Sequence, residues 1–227
     1  MSALVRTVLG DIDPALLGRV DYHEHLFQVS PLLPGDELDD EKASGEEAAL
    51  LQASGFEAMV DATPFGLARD PAALARISAT TGLHIVATTG RHREAHYGAD
   101  HPMQVWTSER LAALFIADIT RGMPADDGEI FETPEVSLAA APDGGPVRAG
   151  LLKGGADYWR ISAFERTTLI AVAEAHRATG AAVMVHLEFG TAAHEVLDLL
   201  DAEGVSADRG VLAHADRDPD PGLHVSL

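Results

Sequence analysis

The chain is 227 residues long, 46% of its residues are hydrophobic, and its formal net charge is −20 at pH 7. Such a charge repels nucleic acid and anionic lipid, so we expect neither nucleic acid nor a membrane as partner, and a small-molecule substrate instead. Cysteine is absent, which excludes disulfides, thiolate metal sites and cysteine nucleophiles. We find no secretory signal and no apolar run near about 18 residues, and therefore expect a soluble, cytoplasmic protein.

Six short apolar stretches are predicted to be β-strands. Most follow an amphipathic helical stretch and a glycine, and apolar runs without alternation are typical of parallel strands covered on both faces. Ser162 and Glu165 have the spacing of a capping box, which predicts a helix start, and a further helix is predicted from about 107 to 122. The predicted strands are, in chain order, residues 17–22, 57–61, 84–89, 148–152, 182–187 and 210–214.

This alternation of helices and strands predicts an α/β fold. Polar residues follow strands throughout the chain, which favours a (β/α)8 TIM-type barrel over an open doubly wound sheet, where ligands gather at one switch point. With about six of eight strands present, we expect an incomplete barrel, one domain over residues 1–227 that is truncated after the sixth strand. Residues 123–148 are predicted to be an inserted surface excursion. Open edge strands would also favour association, for example as a homodimer.

Histidines end several of the predicted strands. His23 and His25, two residues apart on a strand, point to the same side and could bind one ion, although a surface pair is the alternative. His186 and His214 each follow about four apolar residues, and either one alone would be read as a hydrogen-bonded core histidine. Several strands that deliver histidines to one rim are harder to explain by packing, so the sequence predicts a metal site.

Lysine occurs only at positions 42 and 153, and Lys153 closes a predicted apolar strand. It could be a buried cation paired with an acid such as Asp61, or a functional amine. Burial favours the neutral amine, which could form a Schiff base or capture carbon dioxide as a carbamate that bridges two cations. The histidines at other strand ends favour the metal bridge.

Other side chains are weaker candidates. Tyr97 and Trp106 lie in the loop after the third predicted strand, on the side where barrel pockets form, and are predicted to contact substrate. Asp61 ends the second strand, where it either orients a ligand histidine or neutralises an arginine. The same loop also carries His92, His96 and His101 as candidates for substrate contact, whereas structural roles are predicted for His84, His176 and His194.

Three segments resemble the phosphotriesterase family of the amidohydrolase superfamily, and the likeness runs over nearly the whole chain. They are VDYHEHL, the stretch from AGLLKGGAD to AAHEVLDLL, and GVLAHADRDPDP. The resemblance implies that His23 and His25 hold a buried metal, that His186 and His214 hold a more exposed one, and that carbamylated Lys153 bridges both. It thus implies two divalent metal ions, zinc first among them, and carbon dioxide as the lysine carbamate.

The reaction implied by the resemblance is hydrolysis of a small ester, lactone or phosphotriester by a hydroxide that bridges the two metals. Members of the family carry an aspartate on the eighth strand that binds the buried metal and accepts a proton. No residue of this sequence matches that aspartate, so the catalytic residue is unassigned. The alternative is a catalytically inactive truncated homologue, either a metal-binding remnant or an interaction fragment.

Overall fold

The computed structural model describes residues 4–132 and 136–227. In chain order these residues form strands β1 Val5–Thr7, β2 Gly10–Ile12, β3 Val20–Glu24, β4 Ala58–Asp61, β5 His84–Gly90, β6 Leu151–Ala156, β7 Val183–Leu187 and β8 Gly210–Ala213. The α-helices are α1 Glu41–Ala53, α2 Pro71–Thr81, α3 Ser108–Thr120, α4 Glu129–Glu132, α5 Ala163–Thr179, α6 Ala193–Ala202 and α7 Pro221–Ser226.

The chain divides into two compact units. Unit 1 comprises Met1–Thr89 and Ala117–Leu151, and unit 2 comprises Gly90–Ile116 and Leu152–Leu227. The prediction of a single domain over the whole chain stays a prediction. Within residues 4–132 and 136–227, no helix is both long and apolar enough to cross a membrane.

Unit 1 is built on the parallel strands β3, β4 and β5 and on an antiparallel β1–β2 hairpin that the sequence pattern did not predict. The two α-helices that precede β5 each begin after an aspartate that caps their first turn. Asp40 accepts backbone N–H groups in the first turn of α1, and Asp70 accepts the backbone N–H of Ala73 in α2. Helix α2 ends at Gly82, whose left-handed φ of 77° suits glycine. Strands β3 and β4 are thereby each followed by a capped helix start.

A buried ion cluster holds the loop after β4 to α3 within unit 1. The Arg69 guanidinium donates to Asp118 Oδ2 at 2.9 Å and to Asp127 at 3.0 Å, and both the Arg69 and Asp118 side chains are 1% exposed. Thr89 Oγ1 also donates to Asp118 Oδ2 at 2.6 Å. Burial raises the pKa of Asp118, and the Arg69 charge opposes that shift. Removing one partner of such a cluster would leave a buried charge uncompensated.

Unit 2 contains the parallel strands β6, β7 and β8 with helices α5 and α6 between them. The predicted capping box at the start of α5 is confirmed, since Ser162 N–H donates to Glu165 Oε2 at 2.7 Å and Glu165 N–H to Ser162 Oγ at 3.3 Å. Every residue of β6 and β7 is buried. Parallel strands buried on both faces are what the unalternating apolar runs predicted.

The predicted α/β class is confirmed, with three parallel strands described in each unit, but two predicted strands are displaced. The first strand is residues 20–24 rather than 17–22, and the Lys153 strand is residues 151–156 rather than 148–152. Lys153 therefore lies inside its strand instead of closing it. The predicted excursion at 123–148 is partly inside the core of unit 1, where Met123 and Val147 are buried and share a backbone hydrogen bond; residues 133–135 lie outside the described residues.

Candidate metal centre

Unit 1 brings His23 and His25 together. His23 is the fourth residue of β3 and His25 follows its last residue, and their ring centroids are 5.5 Å apart with planes inclined by 60°. His25 Nδ1 shares a 2.8 Å hydrogen bond with Thr63 Oγ1. A hydrogen bond of this kind fixes the orientation of an imidazole that ligates a metal.

Asp61 organises the backbone around His25. Its side chain is buried, Oδ2 accepts the Leu26 N–H at 2.8 Å, and Oδ1 accepts the Thr63 N–H at 3.0 Å. Asp61 thus fixes both the residue after His25 and the threonine that bonds the His25 ring. Of the two roles predicted for Asp61, these contacts favour the orientation of a histidine.

Lys153 is fully buried within unit 2. It is the third residue of β6, and its Nζ lies 3.7 Å from the sulfur of Met184 on β7. In the strand register Lys153 pairs with Met184 and Gly155 pairs with His186. Residues two apart on a strand share a face with their lateral partners, so Lys153 and His186 lie on the same face of this sheet.

The second histidine pair is also close within unit 2. The ring centroids of His186 and His214 are 4.6 Å apart with planes inclined by 74°, and His186 Nε2 is 3.1 Å from Glu188 Oε2. Burial lowers the pKa of His214, and the charges of Arg217 and Lys153 lower it further. A lowered pKa keeps the imidazole neutral, which is the form that binds metal ions.

Two further histidines extend this cluster. His92 is buried with its ring centroid 3.8 Å from that of His96 and 4.5 Å from that of His186, and its Nδ1 accepts the Arg93 N–H at 2.8 Å. Burial, followed by the charges of Arg93 and Lys153, lowers the pKa of His96 to about 4. The sequence suggested both histidines only as substrate contacts; the H-x-x-x-H spacing just after a strand is the signal that marks them.

The loop that carries His92 and His96 packs its backbone closely against β6, the strand of Lys153. The Arg91 N–H donates to the Lys153 carbonyl at 3.2 Å. Gly90 has a φ of 135°, and a Cβ there would lie 1.9 Å from the same carbonyl oxygen. The buried Arg91 guanidinium then donates to Thr168 Oγ1 and to the carbonyls of Met103 and Phe164. Glycine is required at position 90 for this approach.

Tyr97 and Trp106, the predicted substrate contacts, are both buried in unit 2. The Tyr97 hydroxyl accepts the His92 N–H at 3.0 Å, and the Arg110 guanidinium lies 3.7 Å from the centroid of the Trp106 ring. These contacts give both side chains packing roles, and their contact with substrate stays a prediction.

The aromatic side chains that unit 2 exposes are instead Tyr158, Trp159 and Phe189, which sequence reasoning did not select. They are 58%, 64% and 53% exposed, respectively, in the loops after β6 and β7. A run such as DYWR shows aromatic content but gives no signal that the rings remain at the surface. Exposed aromatic clusters are often binding sites.

The candidate ligands are pairs of imidazoles, and imidazole nitrogen suits divalent cations. In residues 4–132 and 136–227, no group of three or more His, Asp or Glu side chains is arranged to hold a metal ion. Each unit does offer two adjacent imidazoles, and imidazole nitrogen is a ligand for zinc and its neighbours in the first transition row. The buried Lys153 amine would become an oxygen donor only as a carbamate.

Comparisons with known proteins agree on one family. The phosphotriesterase family profile matches residues 3–131 and 137–224. A phosphotriesterase homology protein of Mycobacterium tuberculosis is 32% identical over 239 residues, which cover 96% of this chain and 65% of that protein. A phospho-furanose lactonase of Mycoplasmopsis agalactiae is 28% identical over 223 residues, which cover 95% and 61%. The crystal structure of a lactonase from Listeria monocytogenes has a TM-score of 0.81 at 26% identity and covers 99% and 69% of the two chains.

Parallel strands with histidines at their carboxyl ends, together with the likeness to the lactonase structure, confirm the predicted fold class, α/β with six of the strands of a TIM-type barrel. More particularly, this chain belongs to the phosphotriesterase family, whose profile matches nearly all of it. The predicted resemblance is therefore confirmed, and the relatives include lactonases. The chain spans 65% and 61% of the lengths of the two curated relatives described above.

Proposed function

We propose that this chain acts as a metal-dependent hydrolase of a small ester, lactone or phosphotriester. The observation that carries the proposal is the pairing of histidines at strand ends, His23 with His25 and His186 with His214, at ring distances of 5.5 and 4.6 Å. Membership of a family whose relatives include lactonases supports ester-type substrates. The enzyme would act on a small molecule.

Each histidine pair would hold one divalent cation, with zinc as the first candidate. When bound, such cations would polarise the substrate oxygen and lower the pKa of a bound water molecule. Thr63 and Glu188 would orient the ligand rings of His25 and His186 through the hydrogen bonds described above. The chain's own contribution is thus to supply oriented imidazoles.

Lys153 would contribute oxygen ligands as a carbamate. Its nitrogen forms a bond to the carbon of carbon dioxide and loses a proton, so that a neutral amine becomes a singly charged carbamate. Full burial supports this reaction, because loss of solvation disfavours the ammonium form and leaves the nitrogen lone pair available. The proton acceptor in the hydrolytic step is unassigned among the residues of this sequence.

Hydrolysis assays with and without chelator test the proposal. The purified chain, incubated with zinc and bicarbonate, should hydrolyse at least one of γ-valerolactone, 4-nitrophenyl acetate and diethyl 4-nitrophenyl phosphate. Dialysis against a chelator should abolish the activity, and zinc or cobalt should restore it. Absence of turnover by metal-loaded protein would instead support the inactive homologue, and turnover that resists chelation would contradict metal dependence.

A further inference from the structure

Unit 2 contains an open pocket of about 370 Å³ at the carboxyl ends of its strands. This volume lies in the range of small-molecule sites. The pocket walls include two residues after β6, two after β7 and two after β8, namely Tyr158, Trp159, Phe189, Thr191, Arg217 and Asp218. We call these residues the aromatic pocket.

The aromatic pocket lies next to the candidate ligands along the chain. Tyr158 follows Lys153 by five residues, and Phe189 follows His186 by three. The Arg217 N–H donates to the His214 carbonyl at 3.1 Å, so Arg217 directly follows the turn that carries this histidine. The pocket walls are therefore formed by the loops that directly follow Lys153, His186 and His214 in the sequence.

The loops that form the pocket are held in conformations that bulky residues rarely adopt. Trp159 has a φ of 51° and Phe189 a φ of 54°, both in the left-handed region. The Trp159 N–H donates to Thr191 Oγ1 at 2.9 Å, and Thr191 Oγ1 donates to the Glu188 carbonyl at 2.7 Å. Backbone strain that persists in this way is concentrated at functional sites.

These bonds present three aromatic rings as one surface. The Tyr158 ring lies 6.1 Å from the Phe189 ring and 6.4 Å from the Trp159 ring, at nearly perpendicular orientations of 86° and 73°. All three are more than half exposed, although burial of aromatic surface would stabilise the fold. The exposed rings thus offer apolar ring faces in different orientations to a ligand.

The charges of the pocket favour an uncharged ligand. Arg217 lies 5.9 Å from the Phe189 ring centroid, and the oppositely charged Asp218 is its neighbour in the same wall. With one positive and one negative side chain among its walls, the pocket has no net charge of its own to favour an anion or a cation. The guanidinium and carboxylate still provide hydrogen-bond donors and acceptors for a polar edge.

We infer that the aromatic pocket binds an uncharged, ring-shaped group of the substrate, with the apolar face of that ring on Trp159 and Phe189 and its polar edge toward Arg217 and Asp218. The inference rests on the proposed function for the identity of the ligand as a substrate. Binding itself can be measured without turnover, because a ring that stacks in the pocket changes the surroundings of Trp159.

Fluorescence titration tests the inference. The chain has two tryptophans, so Trp106→Phe leaves Trp159 as the only reporter. Benzamide, benzoate and benzamidine have nearly the same planar shape but are neutral, anionic and cationic. Benzamide should change Trp159 emission saturably, and both charged analogues should bind more weakly. If Trp106→Phe does not fold, the difference in emission change between the natural chain and Trp159→Phe gives the same readout.

Substitution of a ring provides the second arm. Phe189→Ala in the same background should weaken benzamide binding by about fivefold, because an aromatic partner contributes energy of that order. Val105→Ala is the matched control, since Val105 is an exposed apolar residue of unit 2 outside the pocket walls. It should leave the benzamide dissociation constant unchanged.

Each outcome bears on one claim. Absence of a saturable Trp159 response to benzamide, tighter binding of either charged analogue, or equal effects of the two substitutions would overturn the aromatic pocket as a neutral-ring site. If benzamide binds as expected but no ester is hydrolysed, the pocket stands and the proposed hydrolase fails. If esters are hydrolysed and benzamide does not bind, the hydrolase stands and the pocket fails.

Discussion

Lys153 is the residue on which the proposed chemistry depends most. The sequence singled it out because lysine is so rare here, and the structure places it fully buried in the middle of β6 beside Met184. A charged ammonium group at such a position would be costly unless strongly compensated. A carbamate that ligates metal ions would explain why a lysine occupies this strand.

The modification can be detected directly. After incubation with ¹³C-bicarbonate and zinc, the chain should show a carbamate carbon signal from Lys153 in its NMR spectrum, because Lys153 is the buried one of its two lysines. Lys153→Ala should remove that signal, whereas Lys42→Ala should retain it, since the Lys42 side chain is 86% exposed. A signal that persists in Lys153→Ala, or its absence from the metal-loaded natural chain, would contradict this role.

His96 should make stability depend on pH. Its folded pKa of about 4 lies below the usual value of 6.5, mainly because the ring is buried. As pH falls, the unfolded chain therefore protonates this ring before the folded chain does. The free energy of unfolding is highest above pH 6.5 and decreases as pH falls toward 4, by about 3 kcal/mol at most. Urea unfolding of His96→Gln should show a smaller loss of free energy between pH 6.5 and 4 than the natural chain. The exposed control His194→Gln should behave like the natural chain, and identical pH profiles for all three proteins would refute the assignment.

The metal-ligand candidates could be selected from sequence because each lies near the end of a predicted strand, but the histidines that contact them in the fold could not. His92 contacts His186 only because Gly90 and Arg91 hold its loop against the Lys153 strand. That approach depends on tertiary packing between segments about 60 residues apart, for which a single sequence carries no periodic signal.

At the scale of elements, capping chemistry made α5 and the helix–strand alternation predictable. The capping box at Ser162 and the left-handed glycines Gly82 and Gly180 lie where the sequence placed helix ends. The extent of β6 was not predictable, because Gly154 and Gly155 resemble a turn. In the structure these glycines are needed for packing, since a Cβ would lie 2.8 Å from Leu169 and 2.7 Å from the Arg93 nitrogen, respectively.

The loop between β4 and α2 offers a test of backbone strain within unit 1. Ala68 is exposed with a φ of 58°, a conformation that costs an alanine about 1–2 kcal/mol relative to glycine. Ala68→Gly should therefore raise the free energy of unfolding by about 0.5–1 kcal/mol after the added freedom of the unfolded chain is subtracted. Ala79→Gly, at an exposed position of α2, should lower it by about 1 kcal/mol. Destabilisation by both substitutions would show that the loop is unstrained.

At the scale of the whole molecule, the sequence was sufficient to predict the family, whereas the aromatic pocket was visible only in the structure. Composition and charge favoured small molecules as partners, and the order of strand-end motifs indicated the phosphotriesterase family, which the family profile confirms. The aromatic pocket could not be found from sequence, because the exposure of Trp159 and Phe189 depends on strained loops. The expected homodimer stays a prediction.

Metal content is the most direct test of the central claim that two histidine pairs each hold a divalent cation. Elemental analysis of the chain after zinc loading and desalting should give about two metal ions per chain. His186→Ala should lower the count by about one, and the control His194→Ala, on the exposed face of α6, should leave it at two. A natural chain that retains no zinc, or an unchanged count in His186→Ala, would contradict the account.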